Sequence, residues 1–234
     1  MDLDKVVEEK YSGEKAEKYD EKRRGKERWN KEQSAVEHYL KEIASLMENP
    51  SVLDIPVGTG RFFPLYEKFD TGKVVGVDAS EDMLEQAKEK TEGVEKEDIE
   101  LKAGDITDKT TYGIEPDIVV CVRLFNFLDE NKMKRSLENL LNSGAEHIIL
   151  GTKVFPNLMM YKSAIFIQKS VLGLYNVFNK EEEASHKVKR TYHCRNFIEK
   201  KLNENGFEIR DETLLKKKWG TRSYIYWFSK KSGR

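Results

Sequence analysis

Short apolar runs alternate with helix-like patterns through the middle of the chain, and this alternation restricts the fold more than any other feature. The apolar runs have the length of buried strands, and side chains between them repeat at helical spacing. Strands that alternate strictly with helices form a parallel sheet covered on both faces. The predicted strands are 51–55, 73–78, 98–103, 117–122 and 146–151, and the predicted helices between them are 61–68, 81–91 and 129–142.

Both ends of the chain add predicted elements to this sheet. Apolar residues at helical spacing follow Ser34, and Ser34-x-x-Glu37 has the pattern of a capping box, so a helix is predicted to begin there. A helix at 195–205 is predicted near the other end, followed by strands 207–215 and 222–229 that form an antiparallel hairpin. The predicted fold is therefore a three-layer α/β sheet, mostly parallel, with an antiparallel C-terminal strand.

The chain is interpreted as a single domain, 1–234, with two segments added to the sheet. Residues 1–48 are predicted to form a helical cover, because their first part is mostly charged and has too few apolar side chains to fold alone. Residues 154–190 interrupt the alternation and contain an apolar helical pattern at 159–179. This insertion is predicted to be a cap, with a homodimer face or a membrane-contacting helix as alternatives. A cap over a ligand site would imply a substrate with an apolar or lipid-like part.

Composition argues against several classes of protein. The chain has 41 Lys and Arg against 42 Asp and Glu, so its net charge of -1 does not favour indiscriminate binding to nucleic acid or membranes. Cys121 and Cys194 have no metal-ligand spacing around them, so no metal site is predicted and a reducing, cytoplasmic location is favoured. No apolar stretch has the length of a transmembrane span or the form of a secretory signal.

Residues suited to ligand binding follow the predicted strands, at the edge where parallel sheets bind ligands. The segment 54–61 is a glycine-containing turn that lets a ligand approach the backbone. Asp78 ends the second strand, where a carboxylate can accept both hydroxyls of a ribose. Phe63 replaces the third glycine of a dinucleotide-binding turn, which disfavours NAD and FAD, and a P-loop is excluded because its Gly-Lys pair is absent. The pattern favours a nucleoside without a long phosphate tail.

At these positions the chain resembles the class I S-adenosylmethionine-dependent methyltransferases, which have a Rossmann-like sheet, and the resemblance runs from about Tyr19 to Phe228. The segment 54–60, Asp-x-Pro-x-Gly-x-Gly, matches the family's acid-x-Gly-x-Gly-x-Gly motif, except that Pro56 replaces the first glycine. The segment 19–23, Tyr-Asp-x-x-Arg, is similar to an amino-terminal element of many small-molecule methyltransferases, in which a helix folds over the cofactor. Without the resemblance, segment 19–23 would be interpreted as a solvated charged helix.

The resemblance implies that S-adenosylmethionine is the cofactor and S-adenosylhomocysteine the product. It implies that Gly58 and Gly60 approach the methionine part and that Asp78 holds the ribose diol. It also implies that Asp105 and the Ile106 backbone read adenine, and that Val122 and Arg123 face the methionine part and the substrate. The predicted cofactor-binding residues are Tyr19, Arg23, Asp54, Pro56, Gly58, Thr59, Gly60, Asp78, Ala79, Met83, Gly104, Asp105, Ile106, Val122 and Arg123.

The predicted reaction is methyl transfer to an oxygen or nitrogen atom of a small molecule. A general base is needed only when the nucleophile arrives protonated, and the candidates are Asn126, His186, Tyr192 and His193. A surface imidazole is the alternative interpretation of each histidine. The Asn-Pro-Pro-Tyr motif of amine methylation is absent. Cys121 does not follow a proline as in the cytosine-C5 enzymes and is interpreted as a core residue of the fourth strand.

Segmental charge leaves RNA open as an alternative acceptor. Residues 187–234 hold 14 basic and 5 acidic residues, a net charge of +9, whereas residues 1–186 have a net charge of -10. Trp219, Tyr224 and Trp227 lie among the basic residues, although such strands are also expected to have a solvated lysine face. Further alternatives are a non-catalytic subunit that binds S-adenosylmethionine and a reaction other than methyl transfer.

Overall fold

A mixed sheet forms the centre of the computed structural model, which describes residues 11–95, 98–108, 112–167, 191, 193–218 and 220–231. The strand order is β3-β2-β1-β4-β5-β8-β7, and β6 pairs with β5. The first six strands run parallel, whereas β8 is antiparallel to both of its neighbours. The strands are β1 Val52–Asp54, β2 Val74–Asp78, β3 Ile99–Ala103, β4 Ile118–Val122, β5 His147–Phe155, β6 His193–Cys194, β7 Phe207–Lys218 and β8 Thr221–Lys230.

Helices cover both faces of this sheet and create two apolar cores. Along β4, Val119 and Cys121 point into one core, and Ile118 and Val120 point into the other, as the two-residue period of a strand requires. The helices are α1 Glu14–Glu17, α2 Glu27–Ala44, α3 Phe63–Lys68, α4 Glu81–Thr91, α5 Glu130–Leu141, α6 at 158–167 and α7 Arg195–Glu204, with a 3₁₀ turn at Phe125–Phe127. The predicted three-layer, Rossmann-like α/β fold is confirmed, and Cys121 is a core residue.

Helix α2 begins earlier than the sequence pattern predicted. The helix starts at Glu27, and Ser34 lies inside it, so the predicted capping box is wrong. The first two turns are polar, and they are supported by ion pairs one helical turn apart, Lys31 with Glu27 and Arg28 with Glu32. The apolar stripe becomes continuous only after these turns, so it does not mark the start of the helix.

Three boundaries near the carboxyl end also differ from prediction. Strand β5 continues to Phe155 and so includes the first residues of the predicted insertion. The short strand β6 was not predicted, because two residues carry no periodic pattern. The hairpin was predicted, and its strands are longer than expected, so that residues 216–218 belong to β7.

Only the first part of the predicted insertion can be described. Helix α6 exposes Leu158, Met159, Phe166 and Ile167, and a Cβ built on Gly220 would lie 3.1 Å from the Met160 methyl carbon, which places α6 beside the turn between β7 and β8. Residues 168–190, with half of the predicted 159–179 helix, lie outside the described residues. The cap, dimer and membrane interpretations stay predictions. Within the described ranges, no helix is long and apolar enough to span a membrane.

Candidate active site

The turn after β1 contains both glycines of the predicted motif in left-handed conformations. Gly58 has φ +56° and Gly60 has φ +67°, values that L-residues with side chains rarely adopt. The Gly58 amide donates a 2.8 Å hydrogen bond to Asp78 Oδ2, which ties the turn to the end of β2. A Cβ on Gly58 would meet no atom within 4 Å, whereas a Cβ on Gly60 would lie 2.3 Å from Phe63 Cε2. The second glycine therefore makes room for the Phe63 ring.

We expect Gly60→Ala to destabilise the fold more than Gly58→Ala. The left-handed backbone costs each alanine about 1–2 kcal/mol. At Gly60, overpacking against the buried Phe63 ring adds about 1–3 kcal/mol. Urea unfolding of both variants measures the difference in unfolding free energy. Equal destabilisation by the two variants would show that the Phe63 contact is not what requires this glycine.

A cavity, partly open to solvent, lies where the turn meets the carboxyl ends of β2 and β4. All of the predicted cofactor-binding residues line it except Arg23, Asp54 and Gly60. Arg23 lines an adjoining cavity, Asp54 is buried, and Gly60 faces Phe63. The cavity lining also includes residues that sequence reasoning did not assign to it: Tyr11, Trp29, Ile55, Val57, Arg61, Phe62, Val77, Leu124 and Phe127.

Asp78 lies at the wall of this cavity with its carboxylate fixed by the backbone. Its Oδ2 accepts the Gly58 amide, and its Oδ1 accepts the Ser80 amide at 3.0 Å. Burial raises the pKa of Asp78 to about 6, although these backbone hydrogen bonds oppose the rise. The carboxylate is thus held in one orientation and is ionised at neutral pH.

Asp54, the acid that opens the glycine motif, is buried and lines neither cavity. Its Oδ2 accepts a 2.8 Å hydrogen bond from the Tyr66 hydroxyl, while its Oδ1 has no hydrogen-bond partner among the described residues. Burial raises the pKa of Asp54 to about 8, and nearby Asp78 adds to the rise. Its burial and its hydrogen bond to Tyr66 suit a structural role for Asp54 in supporting the turn.

The segment after β3 is held by hydrogen bonds beside the end of β2, where the Gly104 amide donates to the Asp78 carbonyl oxygen at 2.9 Å. Asp105 Oδ1 accepts the Thr107 amide at 2.8 Å. The Ile106 carbonyl oxygen accepts hydrogen bonds from the Tyr112 hydroxyl and from Asn139 Nδ2, each at 3.0 Å. Asp105 and Ile106 therefore lie on a fixed loop that lines the cavity next to Asp78.

The amino-terminal segment covers the cavity and is attached to the glycine turn. Asp20 accepts a 2.8 Å hydrogen bond from the Thr59 hydroxyl and forms an ion pair with Lys90. The Arg23 guanidinium stacks 3.6 Å from the Tyr19 ring centre and donates to the Tyr19 carbonyl oxygen. Asp20 therefore attaches this segment to the glycine turn, and the prediction of a cover over 1–48 stays a prediction.

A second attachment joins the cover to the start of α4. The Ser80 hydroxyl donates a 2.6 Å hydrogen bond to the Tyr11 carbonyl oxygen, and the Gly13 amide donates to Asp82 Oδ2 at 2.7 Å. The Tyr11 ring contacts both the Tyr19 ring and the Phe127 ring. The aromatic side chains thus lie together over the cavity mouth.

A buried carboxylate, Glu32, organises the arginines beside the cavity. Its side chain is 1% exposed and forms ion pairs with Arg28, Arg61 and Arg123. Burial raises the pKa of Glu32, but the three guanidinium groups together lower it by more. The net effect is a pKa below the usual value. Sequence reasoning missed Glu32, because a glutamate on a charged helix is expected to face solvent.

Arg61 and Trp29 form one packed pair at this wall. The Arg61 guanidinium lies 3.6 Å from the Trp29 ring centre and donates to the Trp29 carbonyl oxygen at 2.5 Å. Burial lowers the pKa of Arg61 to about 10, and nearby Arg123 lowers it as well. Arg123 itself has φ +71° at the end of β4, which turns the chain towards Glu32.

The candidate general bases lie outside the main cavity or outside the described residues. Asn126 donates through Nδ2 to the carbonyl oxygens of Lys153 and Thr191, and its Oδ1 accepts the Lys153 amide. His193 is buried, its Nε2 lies 2.8 Å from the Phe125 carbonyl oxygen, and burial lowers its pKa. Asn126 and His193 thus brace the backbone, whereas His186 and Tyr192 cannot be placed. Within the described residues, no cluster suited to holding a metal ion is found.

Comparison with known proteins identifies the central part of the chain. Residues 52–144, which include the glycine turn, Asp78 and Asp105, match the sequence family described as a methyltransferase domain. This chain carries a methyltransferase domain. The match confirms the predicted class of enzyme, a class I S-adenosylmethionine-dependent methyltransferase, and with it S-adenosylmethionine as the cofactor. No curated protein sequence matches the chain significantly.

Solved structures similar to this methyltransferase share its fold at low sequence identity. Magnesium protoporphyrin IX methyltransferase from Synechocystis PCC 6803, with S-adenosylhomocysteine bound, is 17% identical with a TM-score of 0.68, over 97% of this chain and 100% of that one. The methyltransferase domain of bacterial CtHen1-C is 17% identical with a TM-score of 0.59, over 86% and 98%. A putative RNA methyltransferase from Pyrococcus horikoshii is 19% identical with a TM-score of 0.53, over 84% of each chain.

The cavity of this methyltransferase has the chemistry that S-adenosylmethionine requires. Two carboxylates, Asp78 and Asp105, face it as acceptors for hydroxyl and amino groups, and apolar side chains including Ile55, Val57 and Met83 form its walls. The open space beside Gly58 leaves backbone exposed to a ligand. The residues present fit a nucleoside with a short polar tail.

Proposed function

We propose that this methyltransferase transfers the methyl group of S-adenosylmethionine to an oxygen or nitrogen atom of a small molecule. In the proposed site, Asp78 accepts the ribose hydroxyls, Asp105 and Ile106 read adenine, and the turn at Gly58 contacts the methionine part. Arg123 at the end of β4 lies between this site and the acceptor. The cofactor supplies a methyl group bonded to a positively charged sulfur, which any correctly aligned nucleophile can attack.

The cover over the cavity is the observation that supports a small acceptor. Asp20 holds it to Thr59, and the Ser80 hydroxyl holds Tyr11, so residues 11–26 restrict access from above. A restricted cavity admits a small molecule more readily than a base within a long polymer. The protoporphyrin enzyme is a small-molecule methyltransferase by its name. The structural match to it covers 97% of the length of this chain.

The main contribution to catalysis expected of the protein is to align the acceptor atom with the methyl group and the sulfur of the cofactor. Holding two reacting groups in line can supply about 7–11 kcal/mol of a reaction barrier. Tyr11, Tyr19 and Trp29 line the cavity and reduce the access of water to it. The described lining of the main cavity contains no histidine, which favours an acceptor that arrives as an adequate nucleophile.

Methyl transfer to separated cell fractions tests the acceptor class. The purified chain is incubated with methyl-labelled S-adenosylmethionine and either the low-molecular-weight fraction or the RNA fraction of source-cell extract. We expect label in the small-molecule fraction, lost with heat-denatured enzyme. Label confined to RNA would contradict the proposal.

RNA is the second candidate acceptor, because basic residues lie at the ligand-binding edge of the sheet. Arg222 pairs with Val154 near the end of β5, and residues 216–218 pair with the start of β8. However, Tyr224 and Trp227 are buried, so the predicted aromatic contribution to an RNA-binding face is wrong for both residues. RNA affinity that falls steeply with added salt would favour this candidate.

The proposed ribose contact predicts pH-dependent binding of S-adenosylhomocysteine. Burial raises the pKa of Asp78 to about 6, and the ionised form is the better acceptor for two hydroxyls. Affinity should therefore rise as the pH increases through 6, by up to about tenfold per pH unit on the acidic side. Calorimetry across this range measures the dependence, and Asp78→Asn should lack it. A flat wild-type profile would exclude Asp78 from the ribose role.

A further inference from the structure

A second cavity opens beside the cofactor cavity, and its charged lining is entirely basic. The two cavities share Tyr11, Tyr19, Trp29, Arg123 and Phe127, so a molecule in the second can reach the first. The second cavity is lined by five cationic side chains and by no aspartate or glutamate. Those cationic residues are Arg23, Lys26, Arg28, Arg123 and Lys153.

Among the described residues, the acidic groups near Lys26, Arg28 and Arg123 do not fully neutralise their charge. Glu32 is one carboxylate shared by Arg28, Arg61 and Arg123, which leaves two of these three positive charges uncompensated. Asp20 is paired with Lys90, which lines neither cavity. The exposed Lys26 forms no ion pair with any described residue. A cavity with excess positive charge attracts anions.

The amino-terminal end of α2 adds to the same field. Lys26, Arg28 and Trp29 of the second cavity belong to the N-cap and first turn of this 18-residue helix. The N-cap residue, Lys26, makes no side-chain hydrogen bond to the first amide groups of the helix. Free amide groups at a helix start carry partial positive charge, which supports the side chains in binding an anion.

The remaining lining is aromatic apart from Asn126. Tyr11, Tyr19, Trp29 and Phe127 line both cavities, as does Arg123. Aromatic rings bury flat apolar groups and stack against them. The arrangement therefore places aromatic rings next to the reacting region, while Lys26, Arg28 and Lys153 lie outside the cofactor cavity.

We propose that the methyl acceptor is a small anion, a carboxylate or a phosphate on a flat apolar body, bound in the second cavity. Its anionic group binds among Lys26, Arg28 and Lys153, and its flat body lies between Trp29, Tyr11 and Phe127. The proposal rests on the proposed methyltransferase function and specifies its substrate class. It also locates the recognition of charge in the amino-terminal cover and β5 rather than in the basic carboxyl-terminal quarter.

Binding of simple aromatic probes to the protein loaded with S-adenosylhomocysteine tests this inference. Benzoate and phenyl phosphate represent the two anion sources, and benzamide is the neutral counterpart. We expect at least one anion to bind, to weaken with added salt, and to shift the amide NMR signals of Lys26, Arg28 and Lys153. Benzamide should bind at least about tenfold more weakly, the loss expected when one charge-assisted contact of about 1.4 kcal/mol is removed. The anion that binds more tightly shows whether the site recognises a carboxylate or a phosphate.

Two matched lysine variants separate a built site from general attraction. Lys26→Ala removes a charge from the second cavity, whereas Lys22→Ala removes one from an exposed position on the same segment that lines neither cavity. We expect anion affinity to fall about tenfold in Lys26→Ala and to stay unchanged in Lys22→Ala. Equal loss in both variants, or benzamide binding as well as the anions, would overturn the inference.

S-adenosylhomocysteine binding distinguishes the two proposals from each other. If the protein binds S-adenosylhomocysteine but neither anion, the substrate class is wrong and the methyltransferase function stands. If it does not bind S-adenosylhomocysteine at all, the proposed function itself fails.

Discussion

Asp78→Ala should weaken the binding of S-adenosylhomocysteine by about 100-fold or more. A hydrogen bond to an ionised group contributes about 1.5–3 kcal/mol, and the proposed ribose contact makes two of them. Each 1.4 kcal/mol corresponds to about a factor of ten in affinity. The loss of hydrogen bonds to Gly58 and Ser80 would further loosen the turn. Calorimetry on the wild type and the variant measures the effect.

The matched control for this change is Asp98→Ala. Asp98 is exposed and precedes β3, at the edge of the sheet opposite the cavity, so its removal changes the net charge equally without touching the site. We expect cofactor affinity close to that of the wild type. Because Asp78→Ala can also perturb folding, Asp78→Asn and a thermal melt of each variant accompany it. Well-folded Asp78 variants with undiminished affinity would remove Asp78 from the ribose role.

Glu32→Gln should lower the free energy of unfolding by about 3–5 kcal/mol. The substitution leaves Arg28, Arg61 and Arg123 close together with no carboxylate between them. Removal of one partner from a buried ion pair costs about this amount, because the remaining charges stay desolvated and unpaired. Urea unfolding measures the loss directly.

Glu27→Gln is the control on the same helix. Glu27 also pairs with a basic residue one turn away, Lys31, but its side chain is 82% exposed. Exposed ion pairs contribute little, so its unfolding curve should remain close to that of the wild type. If Glu32→Gln were as mild as Glu27→Gln, the three arginines would not depend on Glu32, and the wall between the two cavities would have another source of stability.

The sequence alone was sufficient to predict the sheet and the residues at its ligand-binding edge. Asp78 ends a buried strand and Asp105 closely follows another, so their places along the chain already imply that they face one edge. The sheet requires apolar runs of a fixed length, and such runs are visible locally. This is why the parallel sheet, the C-terminal hairpin and the glycine turn could be predicted without coordinates.

The charged wall of the cavity could not be predicted in the same way. Glu32 can be buried because Arg28, Arg61 and Arg123 pair with it. No local sequence pattern shows that these three arginines come together in the fold. The start of α2 was missed for a related reason, since its first turns are stabilised by ion pairs rather than by an apolar stripe. Pairing between distant parts of the chain decides the burial of Glu32, whereas local pairs four residues apart stabilise the start of α2.

Gly60 matches the predicted motif, but the structure requires a glycine there for a different reason. Its place in the glycine motif implied close approach to the cofactor, yet its missing Cβ accommodates the Phe63 ring. Phe63 had been noted only as the residue that disfavours a dinucleotide. The two residues form one packing unit, which brings the start of α3 against the turn.

A crystal structure of the chain with S-adenosylhomocysteine tests the central claim most directly. The account predicts ribose hydroxyls within hydrogen-bond distance of the Asp78 carboxylate and adenine beside Asp105 and Ile106. It also predicts that the sulfur atom faces the second cavity past Arg123. A nucleoside bound elsewhere, or a sulfur atom directed away from that cavity, would contradict it.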